Sequence, residues 1–351
     1  MDFDEDGDLD LFLAMRDRAN HLFENRGAEG FVDVAQELGV DDPNRTIGVV
    51  WFDTGDGRLD LVVANMNGDP NVLFIQSSTG FARARLAVIR EGGRGLGDET
   101  RGSVRPCVVD YDSDGDFDLF FANYGPNGLL ERDAGGDFTN VAAALGLANA
   151  SRYDTCAWGD FDNDGTIDLY VNGTVGGGQH YRDWLMRREG ADLFVDVTPP
   201  ELLELNASHG ATWVDFDLDG DLDLALTGAA DDGMHYLMEN LLRPEYAWHA
   251  LHVRVLDAEG HATRPGAEVR LYVPGSDVLL ATRIVDTGSG YDAQSDLPVH
   301  FGVPGAQPVD VRITILAGGE RRTGVVEAVD PADYQGRALV VRIDDDGRIV
   351  R

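Results

Sequence analysis

The sequence predicts an all-β chain, a partial β-propeller of blades followed by a small β-sandwich. Three observations predict it. An acidic loop, Asp-x-Asp-x-Asp-Gly-x-x-Asp, recurs through the first two thirds of the chain, its closing aspartates at 10, 60, 118, 168 and 223. Each period of 50 to 58 residues holds four short apolar runs of strand character, the sequence sign of a propeller blade. From Tyr246 onward the clean loops stop, and alternating strands separated by Pro-Gly and Gly-rich turns take over. The expected division is 1–243 for the repeats and 244–351 for the sandwich.

Within the repeat unit, an apolar strand precedes the loop (48–52, 104–109, 155–158, 211–214) and a second follows it (9–14, 59–64, 117–122, 167–171, 222–226). A third short strand comes after an Asn- and Gly-rich turn, and a fourth reads Phe31-Val32-Asp33-Val34, Phe138-Thr139-Asn140-Val141 or Phe194-Val195-Asp196-Val197. No blade hides both faces alone, so stability has to come from stacking. Trp51, Trp158 and Trp213 each stand two residues before the first Asp of a loop. A tryptophan at a repeated register predicts blade-to-blade packing.

The loops carry the chemistry. Asp160, Asp162, Asp164 and Asp168 stand at positions 1, 3, 5 and 9, with Gly165 at 6 for a positive-φ turn. Asp110, Asp112, Asp114 and Asp118 repeat the pattern, as do Asp215, Asp217, Asp219 and Asp223, and Asp2, Asp4, Asp6 and Asp10. Position 7 varies (Asp8, Asp116, Thr166, Asp221), which suits a ligand offering its main-chain carbonyl. A fifth copy, with Asp53, Asp56 and Asp60, is one residue short and lacks a central carboxylate. Oxygen-only ligands in this number suit Ca²⁺, with about four ions expected; they are too many for a hydrated Mg²⁺ site, and no His or Cys points to zinc. Asp344-Asp345-Asp346-Gly347 lacks the spacing and reads as a turn.

Composition agrees. The net charge is −35, from 63 acidic and 28 basic residues, every basic one an arginine, and the five loops hold 23 of the acidic ones. So negative a surface excludes nucleic acid as a partner, and no apolar run is long enough to span a bilayer. Alternation places Cys107 and Cys156 on opposite faces of their strands, so the pair is expected as free core thiols rather than a disulfide. The first loop starts at Asp2 with no strand before it, and the fifth blade has no closing Phe-x-Asp-Val strand. That pattern predicts an N-terminally truncated piece of a longer protein, whose export signal would lie in the missing part.

The loops with their downstream Phe-x-Asp-Val strands resemble the FG-GAP/VCBS repeats of integrin α-chain propellers. The tail, with Arg264-Pro265-Gly266-Ala267-Glu268-Val269, Gly288-Ser289-Gly290-Tyr291 and His300-Phe301-Gly302, is similar to the ASPIC/UnbV domain. The pair resembles the cartilage-acidic-protein-like family. That resemblance implies a calcium-bearing propeller of about seven blades, extracellular or periplasmic, working in adhesion or in protein or glycan interaction. Some bacterial members of the family are encoded with natural-product pathways of the enediyne type, which implies the alternative of an enzyme or accessory protein using the propeller axis. Nucleophile elbows, phosphate loops and His-rich metal clusters are absent, and no turnover is expected. The polar residues expected around the axis are Arg101, Arg105, Arg152 to Asp154, and Ser208-His209-Gly210.

Overall fold

The computed structural model describes all residues except 85–101, 177–178, 192, 204, 206–208, 229–233, 287–296 and 351. Arg101, Ser208 and the Gly288-to-Tyr291 motif therefore lie outside the described residues. The fold is all-β, its described helices single turns of three or four residues. Five blades form a partial propeller, and the tail forms a sandwich. No described helix is long and apolar enough to cross a membrane.

Each blade is an antiparallel meander. Blade 2 has four strands, Thr46–Phe52, Asp60–Asn65, Val72–Ser77 and Gly80–Ala84, paired in chain order. Blade 3 runs Gly102–Val109, Asp118–Pro126, Gly128–Arg132 and Phe138–Asn140; blade 4 runs Ala150–Gly159, Asp168–Gly173, Trp184–Arg188 and Phe194–Asp196. These two are joined edge to edge, because Ala150 to Arg152 pair with Pro126 to Tyr124 in one continuous eight-stranded sheet. Among the described residues, blades 1 (Leu11–Leu13, His21–Asn25, Phe31–Asp33) and 5 (Gly210–Val214, Asp223–Thr227, Tyr236–Met238) have three strands each.

The second strands show why their sequences are apolar without alternation. Leu119 and Phe121 of blade 3 pack toward Val62 and Ala64 of blade 2, whereas Phe120 and Ala122 pack toward Leu169 and Val171 of blade 4. A strand buried on both faces has no polar side to show. The repeated tryptophans join adjacent blades as expected. Trp51 packs edge-on against Phe12, Trp158 against Phe120, and Trp213 against Tyr170, the ring in each case standing two residues past the preceding blade's closing Asp. Between blades 2 and 3 the same positions are Val62 and Val108, in one aliphatic cluster.

One expectation fails. Cys107 and Cys156 form a disulfide, with Cα atoms 6.4 Å apart. They do face opposite sides of their own strands, but neighbouring blades stack in the same orientation, so opposite faces meet at the interface. Both sulfurs lie in the core between blades 3 and 4. Alternation within one strand says nothing about this geometry.

The tail folds into two four-stranded sheets around one core that includes Leu251, Val253, Val269, Phe301, Val311, Ile313 and Val341. One sheet joins Ala250–Leu256, Val299–Gly302, Leu339–Ile343 and Ile349–Val350, with a single parallel pairing between the first and third; the other joins Leu279–Ile284, Glu268–Tyr272, Val309–Ala317 and Glu320–Val329.

A crosslink over 49 residues constrains the unfolded chain by about 4 kcal/mol on the loop-entropy model. Unfolded, unreduced protein should therefore show no free thiol by colorimetric titration, and Cys107→Ala with Cys156→Ala should lower stability by about 2–4 kcal/mol. Two titratable thiols in the unreduced protein would refute the crosslink.

Candidate metal centres

The four clean loops share one backbone. The glycine at position 6 has φ between 90° and 101° (Gly7, Gly115, Gly165, Gly220), and position 4 is also left-handed, at 55° to 64° (Glu5, Ser113, Asn163, Leu218). The sequence signals the glycine. It does not signal position 4, since only Asn163 is a residue that favours that region.

Hydrogen bonds fix the carboxylates in the same way each time. The first Asp accepts the amide of the glycine: Asp2 at 3.1 Å, Asp110 at 3.2 Å, Asp160 at 2.9 Å and Asp215 at 3.2 Å. The position-5 residues Asp6, Asp114, Asp164 and Asp219 accept the amide of position 7. The closing Asp binds the amide of position 2 with one oxygen and an amide in or just after the third strand with the other. For Asp168 these are Phe161 at 3.3 Å and Arg188 at 2.8 Å; Asp10, Asp118 and Asp223 repeat the pair with Phe3 and Asn25, Tyr111 and Arg132, and Phe216 and Asn240.

Within this frame carboxylate oxygens converge. Asp110, Asp112 and Asp118 each place one oxygen within 4.8 Å of the others, as do Asp160, Asp162 and Asp168; Asp215, Asp217 and Asp223; and Asp2, Asp4 and Asp6. Asp10, Asp114, Asp164 and Asp219 stand outside these close sets. Position 7 turns elsewhere: Thr166 donates its hydroxyl to Asp164, Asp116 meets Arg132 at 3.4 Å, and Asp221 accepts the Leu242 amide. Asp8 Oδ1 is buried and has no hydrogen-bond partner.

The electrostatics fit a cation. Burial, reinforced by neighbouring carboxylates, pushes Asp118 up to about 8, Asp168 to about 9 and Asp160 to about 7, from an ordinary value of 3.8. Asp110 Oδ1 and Asp162 Oδ1 are buried without a hydrogen-bond partner. Three converging oxygens, some of them orphaned and several on carboxylates that burial makes costly to charge, make a donor set suited to a hard divalent ion.

The fifth loop departs from the expectation. Asp53, Asp56 and Asp60 do not form a convergent set among the described residues. Asp60 keeps the closing role, taking the Thr54 amide and hydroxyl and the Gln76 amide. Asp53 instead pairs with the guanidinium of Arg321 from the tail, which also bridges to Glu268 at 2.6 Å. A fixed arginine thus supplies positive charge in the loop that lacks a carboxylate.

The tail reaches the other loops too. The Gly319 amide donates to Glu5 at 2.7 Å, Arg270 to the Gly115 carbonyl at 2.7 Å, and the Asn163 amide to the carbonyls of Gly220 and Ala247. His252 Nε2 lies 3.7 Å from Asp215.

Comparison with known proteins agrees with this architecture. The family described as FG-GAP-like repeat matches residues 2–63 and 110–171, each match spanning two consecutive loops. Human cartilage acidic protein 1 is 27% identical over 343 residues, covering 92% of this chain, tail included, and 42% of its own length. The chain carries FG-GAP-like repeats and is similar to cartilage acidic protein 1 along most of its length. The mouse protein of that name is 28% identical over 92% of the chain, and the chain spans less than half of either relative. Among solved structures, an Agrocybe aegerita lectin that recognises non-reducing terminal N-acetylglucosamine matches 93% of this chain and 78% of its own, at 13% identity and a TM-score of 0.39.

Two outcomes follow from this geometry. Asp53→Asn should leave the number of bound ions unchanged while costing about 1.5 kcal/mol, because Arg321 loses one of its two carboxylate partners and keeps Glu268; loss of one ion would show that this FG-GAP loop holds metal after all. Because the loop aspartates bind protons more tightly folded than unfolded, the metal-free protein should lose stability as pH rises from about 4 towards 9. Melting curves of the chelated protein at pH 5 and pH 8 check this, the pH 5 sample melting higher; equal or reversed order would refute it.

Proposed function

We propose that this chain is a non-catalytic, calcium-stabilised binding module of an extracellular or periplasmic protein, serving adhesion or interaction with a protein or glycan. The observation that carries the reading is the fourfold recurrence of convergent carboxylates on one backbone template. Calcium would bind at the four clean loops and pin the corner between the first two strands of a blade. At a free concentration about 100 times Kd, each ion would stabilise the fold by about 2.7 kcal/mol. Four such increments are comparable with the whole stability of an ordinary domain, about 5–15 kcal/mol. The ions would therefore decide whether the propeller stands.

A compartment outside the cytosol is supported by the Cys107–Cys156 crosslink, since disulfides persist mainly in oxidising surroundings. Relatives named for cartilage point the same way.

Calcium titration with mass spectrometry under native conditions should give four ions per chain, and exhaustive chelation should lower the melting temperature by ten degrees or more. Asp162→Ala should remove one ion, whereas Asp56→Ala should remove none. An unchanged melting curve after chelation would sink the structural-ion reading.

A further inference from the structure

The first strands of the blades begin at the end of the propeller away from the loops, and three blades converge there. Asp154, in the first strand of blade 4, is buried; it accepts a hydrogen bond from the Tyr124 hydroxyl of blade 3 at 2.8 Å and holds His209 Nδ1, at the entry to blade 5, at 2.5 Å. Two residues earlier, Arg152 places its guanidinium 5.4 Å from the ring centre of Tyr124 and 5.5 Å from that of Tyr181. Its main chain is tied on both sides, pairing with Tyr124 and accepting the Thr174 amide. Arg152 is exposed, and among the described residues its guanidinium makes no ion pair, in a chain with more than twice as many acidic as basic residues.

We infer that this end of the axis is a binding site for an anionic saccharide. A guanidinium stacked between rings spends its faces on the rings and keeps its N–H edge for a carboxylate, which it meets with two parallel hydrogen bonds. The His209 ring, oriented by Asp154 and about one-third exposed, is placed to hydrogen-bond a sugar hydroxyl. The groups beside the arginine, His209 and Asp154, are polar, which suits the hydroxyls of a sugar. Toward the loop at Asp110, Arg283 and Ile284 of the tail line a cavity together with Val108, Cys156 and Trp158. From Arg152 to the loop at Asp160 the strand runs roughly 26 Å, about three Debye lengths at physiological salt, so the acidic loops do not bar an anion here. The inference rests on the binding-module reading, but not on the ions.

The test is calorimetry on the full chain in calcium, with a galacturonate oligosaccharide and its neutral methyl ester as probes. The acid should bind at least tenfold tighter than the ester. Arg152→Ala should lose at least tenfold, Arg152→Lys should retain part of the affinity, and His209→Gln should weaken binding several-fold, with ion content and melting temperature unchanged in each. Equal binding of acid and ester, no binding of either, or an Arg152→Ala variant that binds normally would overturn the proposal. So would tighter binding of a Glu-rich peptide, which would assign the site to protein partners. Calcium stoichiometry, read on the same samples, reports separately on the loop reading.

Discussion

The structure depends on a buried carboxylate at the corner of each blade. In blades 2 to 5 the closing Asp joins three strands at once: it follows the first, opens the second, and takes an amide in or beside the third. Two amides only partly offset the burial of a full charge, which is why these groups hold protons so tightly without a cation. The four clean loops are shaped to solve this with converging oxygens. The fifth keeps the corner and meets the problem differently: Thr54 donates its hydroxyl to Asp60, and Arg321 stands against Asp53.

That exchange ties the tail to the propeller. A guanidinium can neutralise a loop only if the strand carrying it sits over the loop face, and other contacts seat the tail there. Gly302 shows how close the approach is: a Cβ on it would lie 2.0 Å from Asp160 Oδ2, so no side chain is possible at that point. Loop order and tail docking therefore share one surface. Whatever holds the carboxylates in place also shapes the seat for the tail.

Local spacing made much of this legible. A loop whose ligands lie within nine residues writes its geometry into the sequence, and a strand buried on both faces writes its burial into an unbroken apolar run such as Leu119 to Ala122. What stayed hidden is non-local. The Cys107–Cys156 crosslink depends on how blades stack, and no pattern within one strand reports that. Arg321 lies 268 residues from Asp53, and nothing around either residue marks the partnership. The polar cluster at the axis was half visible: His209, Arg152 and Asp154 were candidates by position, whereas Tyr124 and Tyr181, which frame the arginine, carry no local signal because they come from strand ends and turns.

The same logic bears on the ends of the arc. Inner blades bury both faces, but blade 1 leaves Leu11 and Leu13 46% and 38% exposed, and blade 5 leaves Leu237 51% exposed. In a stack held by nearest-neighbour contacts, a unit with one neighbour opens before a unit with two. The disulfide does not help there, since it ties blades 3 and 4 in the middle. The tail does. Its Gly319 amide binds Glu5 in the first loop, and Ala247, together with Gly220 of the fifth loop, receives the Asn163 side chain from the fourth. The tail thus reaches across the arc from the first loop to the fifth, and its contacts bear on these blades together.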